Sequence, residues 1–201
     1  SASRNRILDL HGETTTFTLM IDGDDHLVNG DALRAFLQSN KDGQEQAFFV
    51  NIRRDQLSYW LTLMLRTTAI WRYRGRVHEC VGPKVGNGFA SVQIPDAQIT
   101  QTRPQQSADA SARRWERDLA LLRTDYIADP KDPRTLFYLA QTYECLSRPV
   151  EALKVYDERI AVGGWSDETY EATLRRAKIL DHLERRSRDK NAVRDLIEIK
   201  T

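Results

Sequence analysis

Apolar positions follow two rhythms along this chain. Before about residue 95 they form short runs or alternate with polar positions, and turn residues separate the runs. After Ser107 they recur every three or four residues. Period two and short bounded runs indicate strands, whereas spacings of three and four indicate amphipathic helices. The pattern predicts an α/β first part and an all-α second part.

In the first part, Ser3 to Leu10 (SRNRILDL) reads as a short helix. Phe17 to Ile21 (FTLMI) reads as a buried strand, because a Gly-Asp turn follows it. Gly30 to Ser39 is an amphipathic helix with Leu33, Phe36 and Leu37 on one face. QAFFVNIRR and LSYWLTLMLR read as strands, and AIWRYRG with RVHEC adds one or two more, turned at Gly75. In the second part, Trp115, Leu119, Leu122 and Tyr126 mark a first helix. Asp132 is an N-cap with Pro133 at the first helical position, and a further helix runs from Pro149 to the Gly163-Gly164 pair. Ser166 opens the next helix, with Glu168 and Thr169 where a capping box would place its acid. A weak last helix is expected over Asn191 to Ile199. Between Gly82 and Gln106 periodicity fades, with three glycines and three prolines. That stretch reads as a loop and then a linker. The expected division is 1–95, a linker at 96–110, and a helical region at 111–201.

Leu136, Leu139, Ala140 and Tyr143, then Ala152, Tyr156 and Ile160, have the order of a helix-turn-helix repeat. Small alanines at 140 and 152 would let two helices approach, with tyrosines filling the groove beside them. The unit resembles a tetratricopeptide repeat of about 34 residues. Such helices present surfaces to neighbours or partner proteins.

Composition narrows the classes. The 201 residues are 40% hydrophobic and 29% charged, as expected of a chain that buries a core unaided. Net charge is +1, so no global field draws nucleic acid or an anionic membrane. Cys80 and Cys145 offer neither a disulfide framework nor zinc spacing, which favours a reducing compartment. No apolar run is long enough to span a bilayer. The expected location is cytoplasmic, or peripheral at a membrane.

The candidate chemistry begins where FTLMI runs into Asp22-Gly23-Asp24-Asp25. Ligands of open α/β sheets bind beyond the carboxyl ends of strands. A carboxylate cluster there suits a hard divalent cation that also holds phosphate oxygens. The alternative is a solvated turn, for which the same residues are ordinary. Arg4-Asn5 on the preceding helix could meet a nucleotide or the acidic cluster. Val77-His78-Glu79 supplies one imidazole and one carboxylate, and Arg72, Arg74 and Arg76 alternate as if on one strand face.

Taken in order, SRNRILDL, FTLMIDGDDHL and WRYRGRVHE resemble family 2 glycosyltransferases of the A-type fold. In that family a helix with Arg-Asn precedes a strand ending in Asp-x-Asp, and Val-His-Glu follows. Phe137 to Gln141 and Gly163 to Trp165 resemble the tetratricopeptide-type extension of one branch. Two departures stand at Gly23 and Asp25, where the family usually has alanine and glutamate. The resemblance implies a first region, 1–95, that is the C-terminal part of the A-type fold. The strand, helix and strand that hold the nucleotide base would precede Ser1, so the chain is expected to be a fragment of a longer enzyme.

The implied activity is metal-dependent, inverting transfer of a sugar from a nucleotide-sugar donor to an acceptor hydroxyl. Asp24 would bind Mn²⁺ or Mg²⁺, with His78 as a further metal or diphosphate contact. Arg4, Asn5, Asp22 and Asp25 would hold the donor. Glu79 would be the general base, and the loop from Gly82 to Gly88 a lid. The acceptor is a glycan, lipid or protein that the sequence does not name. Two alternatives remain open: a protein-interaction module of repeat helices attached to an inactive transferase remnant, and a nucleotidyltransferase.

Overall fold

The computed structural model describes residues 2–10, 15–86, 88–102 and 107–198, with side chains described up to Arg188. The chain divides into two compact units, one of Ser1–Gly75 with Glu79–Gln105 and one of Arg76–His78 with Gln106–Thr201. It mixes α and β structure, with seven strands and six helices among the described residues.

The first unit opens with α1 (Ala2–Leu10), β1 (Phe17–Leu19), β2 (Asp25–Val28) and α2 (Gly30–Ser39). Strands β3 (Ala47–Arg54) and β4 (Leu57–Arg66) form a hairpin around Asp55, whose φ of 54° is one that aspartate tolerates in a tight turn. β5 (Trp71–Arg74), β6 (Cys80–Pro83) and β7 (Ser91–Gln101) complete it. Five strands form one sheet in the order β1-β4-β3-β7-β2, and β5 pairs with β6 apart from it. Only β3 and β7 run parallel.

Alternation along β3 assigns the two sheet faces. Phe48, Val50 and Ile52 are fully buried, and they pack with Leu33, Met64, Ile94 and Ile99 beneath α2. Ala47 points the other way and joins Leu65, Leu8 of α1, Met20, Trp71 and Tyr73. So α2 covers one face, and α1 with β5 covers one end of the other. Arg66 locks the loop after α2. Its guanidinium donates to the carbonyls of Asn40, Lys41 and Glu45, and it lies 4.7 Å from the Phe17 ring centroid.

The second unit is helical: α3 (Ala108–Ala128), α4 (Pro133–Cys145), α5 (Pro149–Val162) and α6 (Ser166–Glu198). Ser107 and Asp132 cap α3 and α4, accepting from the amides of Ala110 and Thr135. α5 stops at Gly163 and Gly164, whose φ values are 72° and 102°. Ala140, Ala152 and Tyr156 are fully buried in one cluster with Leu136 and Leu119. Arg159 is fully buried too. Its guanidinium donates to the carbonyl of Gly163 at 2.6 Å and the hydroxyl of Thr169 at 3.2 Å, and meets Glu168 at 3.3 Å.

Five expectations need correction. Residues 96–101, expected to begin a linker, are the end of β7; its residues 98–101 pair with β2 and β3, and a break in register at Pro95-Asp96 hides the alternation. The rest of that linker includes 103–106, which lie outside the described residues. Arg76 does not share a strand face with Arg72 and Arg74. The chain turns at Gly75, and Arg76 bonds Asp125 of α3. Glu168 makes no capping box; it turns inward to Arg159 and Arg134. The expected last helix is the continuation of α6 as far as Glu198; Ile199 lies outside the described residues. Of the expected lid, Gly82 and Pro83 belong to β6, and Asn87 lies outside the described residues.

Candidate functional site

The backbone folds sharply after Met20, whose amide still donates to Leu63. The Asp25 amide donates to the Asp22 carbonyl at 3.1 Å, closing a four-residue turn. The carboxylate of Asp25 reinforces it, accepting from the Asp22 amide at 2.9 Å and from the Gln101 side chain at 2.9 Å. The turn is therefore braced by its own acid and by β7. Asp24 is exposed on it. A Cβ added at Gly23 would meet nothing within 4 Å, so the alanine usual in the resembling family would fit.

Arg4 on α1 gathers the rest. Its guanidinium donates to Asp22 at 2.6 Å and lies 3.3 Å from Glu79, while its plane sits 5.3 Å from the Tyr73 ring centroid. Residues 4, 22 and 79 thus meet in one cluster. Asn5 holds β5 in place beside it. Its amide donates to the Tyr73 carbonyl and accepts from the Tyr73 amide, at 3.0 and 2.7 Å. Both ends of the Asn5 side chain are engaged there, so Asn5 clamps the strand under the cluster.

Tyr73 is 5% exposed, and its hydroxyl has no hydrogen-bond partner among the described residues. Burial pushes this phenol above its ordinary range; the Arg4 cation lowers it and Asp22 raises it. The Arg4 guanidinium beside this buried hydroxyl is the group that can complete it.

His78 is placed differently from the other expected residues. It belongs to the helical unit, where its ring stacks on Tyr138 at 3.8 Å and its carbonyl accepts from Arg134. Burial lowers its pKa; Asp118 raises it, and Arg134 and Arg114 lower it further. The backbone there has a φ of 50°, uncommon for histidine.

Sequence reasoning missed Tyr73 and Gln101. Tyr73 sits between two arginines in WRYRGR and reads as a strand aromatic. Gln101 lies in the stretch taken for linker. The residues Arg4, Asp22, Asp25 and Glu79 were each singled out, although nothing local shows that one guanidinium would join three elements.

Among the described residues, no three His, Cys, Asp or Glu side chains are grouped to hold a metal by themselves. A magnesium-like ion does not need such a cage, because it is commonly held by one or two carboxylates together with substrate phosphates. The acidic turn, with exposed Asp24 and hard oxygen donors, fits that kind of site.

The helical unit has an open cavity of about 370 Å³ between the ends of α4 and α5 and the middle of α6. Ile179, Leu183 and Glu144 line it, with Lys178, His182 and Arg186 one turn apart along α6. No helix among the described residues is long and apolar enough to cross a membrane. Set against known proteins, the sequence matches no family model and no curated protein.

Proposed function

We propose that this chain carries the diphosphate-binding and base-supplying part of a metal-dependent, inverting glycosyltransferase of the family 2 type. The reading includes an A-type α/β part and a tetratricopeptide-like helical extension, in the cytoplasm or at a membrane surface. The observation that carries it is the Arg4–Asp22–Glu79 cluster at the end of β1. Residues far apart in sequence converge just past the end of β1.

In this reading Asp24 holds Mn²⁺ or Mg²⁺ with help from the donor diphosphate. The ion, when bound, supplies positive charge against the leaving diphosphate. Asp22 is oriented by Arg4. The guanidinium also leaves N–H groups to meet a phosphate oxygen, a pairing for which its geometry is suited. Asp25 and Gln101 fix the turn, so Asp24 is presented without reorganisation. Glu79 is the acceptor of the proton from the attacking hydroxyl, and its contact with Arg4 positions it.

A second reading, a helical interaction module on an inactive remnant, draws its support from the open cavity of the helical unit. Product analysis separates the readings. The protein as its gene encodes it is incubated with Mn²⁺ and UDP- or GDP-sugars. Release of nucleoside diphosphate, lost in Asp24→Ala, supports sugar transfer. Release of pyrophosphate from nucleoside triphosphates would support a nucleotidyltransferase instead, and no turnover of any nucleotide would favour the interaction module.

A further inference from the structure

The five-stranded sheet has a second face, and within the first unit α1 and β5 are packed on one end of it among the described residues. Cross-strand register places Trp60, Asn51 and Gln98 side by side on β4, β3 and β7, opposite to the face beneath α2. The next row holds Ser58, Arg53 and Thr100, followed by His26 of β2. Trp60 is 38% exposed, and Ser58, Arg53 and His26 are exposed as well. We propose that this face is the acceptor platform of the enzyme and that the acceptor is a neutral carbohydrate stacked on Trp60. The inference rests on the glycosyltransferase reading and names the acceptor that reading leaves open.

Three observations support it. The first is chemical. In a chain that is 29% charged, these two rows carry one arginine and one histidine, with Val28 at the β2 end of the Trp60 row and amides and hydroxyls between. Exposed strand edges are commonly guarded with charge. Amides and hydroxyls instead offer donors and acceptors together, which is what a ring of hydroxyls presents in return. An indole offers a flat apolar surface with a polar edge, matching a sugar's C–H face and its hydroxyl rim.

The second is order. The amide of Asn51 exchanges hydrogen bonds with the Ser58 hydroxyl, at 3.0 and 3.2 Å, so its orientation beside Trp60 is fixed without a ligand. Preorganised polar groups lose less on binding.

The third is position. Ala47 and Leu65, on this same face, pack under α1 and β5, the elements that carry Arg4 and Tyr73. β4 is antiparallel to β1 and pairs with it only from Met64 to Arg66. Its earlier residues therefore run on past the end of β1, to the side where the acidic turn lies. β2 starts at Asp25, the last residue of that turn, and His26 is already on the platform face. Tyr59 and Gln101 tie the strands to the turn from the opposite face, through Asp25.

The test follows the Trp60 indole N–H by NMR, assigned with Trp60→Phe, while the protein is titrated with chitotriose, cellotriose, maltotriose and a mannotriose. The proposal expects at least one of them to shift Trp60 and the amides of Asn51 and Ser58. Trp60→Ala should weaken that binding about tenfold, the loss expected of one aromatic stacking contact, and Trp60→Phe should restore most of it. Trp60 is exposed, so either variant should keep the parent's far-UV circular dichroism. Shifts confined to other residues, or no shift with any of the four, overturn the proposal. Metal-dependent UDP or GDP binding without a sugar response at Trp60 would sink the platform and leave the transferase reading standing. A sugar response at Trp60 without nucleotide binding would remove the transferase reading and leave a carbohydrate-binding face.

Discussion

Removing the carboxylate of Glu168 should unfold the helical unit at a much lower temperature. Arg159 is fully buried and Glu168 is its only anionic partner among the described residues, at 3.3 Å. Taking away one member of a buried pair costs about 3–5 kcal/mol, because a charge is left without compensation. Arg159 retains the Gly163 carbonyl and the Thr169 hydroxyl, so the low end, about 3 kcal/mol, applies. Arg134, the other partner of Glu168, is about a third exposed on its side chain and can be solvated, so its loss adds little. For a unit of this size, 1 kcal/mol is about 4–8 °C in Tm. Glu168→Ala should therefore lower the melting of the helical signal at 222 nm by more than about 10 °C. The double variant Arg159→Met with Glu168→Leu replaces the ion pair with apolar groups and should recover most of that loss. If Glu168→Ala melts within about 2 °C of the parent, or the double variant is no better than the single one, the ion pair does not hold this unit together.

Two further outcomes follow from backbone and burial. Gly163 combines a φ of 72° with a ψ of −145°, a region open essentially to glycine, so Gly163→Ala should cost about 1–3 kcal/mol in urea unfolding. His78 has a folded pKa below its unfolded value of about 6.5. The unfolded chain then binds the extra proton first, so stability from this residue is present above pH ~6.5 and falls as pH drops through that value. His78→Asn tolerates the same positive φ and should flatten the difference in Tm between pH 7.5 and 5.5.

What the sequence showed, and what it hid, follows from which interactions are local. The caps of α3 and α4, the prolines that open α4 and α5, and the paired glycines that close α5 act within one turn, so Asp132, Pro149 and Gly163 could be read directly. The β3–β4 hairpin shows its alternation over contiguous residues. β7 does not. It is parallel to β3, its partner lies some 45 residues earlier, and Pro95-Asp96 breaks its period. Arg159 follows Ala152, Val155 and Tyr156 at helical spacing, so the buried face did point to it. Its charge drew attention to Ile160 instead. At the candidate site the residue types were visible in their motifs. Their pairing was not, because Arg4, Asp22 and Glu79 meet only through the sheet and β5.

The most direct test of the diphosphate site is a calorimetric titration of this chain with UDP and with GDP, with and without Mn²⁺, beside Asp24→Ala. The account predicts binding of one nucleotide that requires Mn²⁺ and disappears in Asp24→Ala. Binding that ignores the metal, binding that survives Asp24→Ala, or no binding of either nucleotide would contradict it.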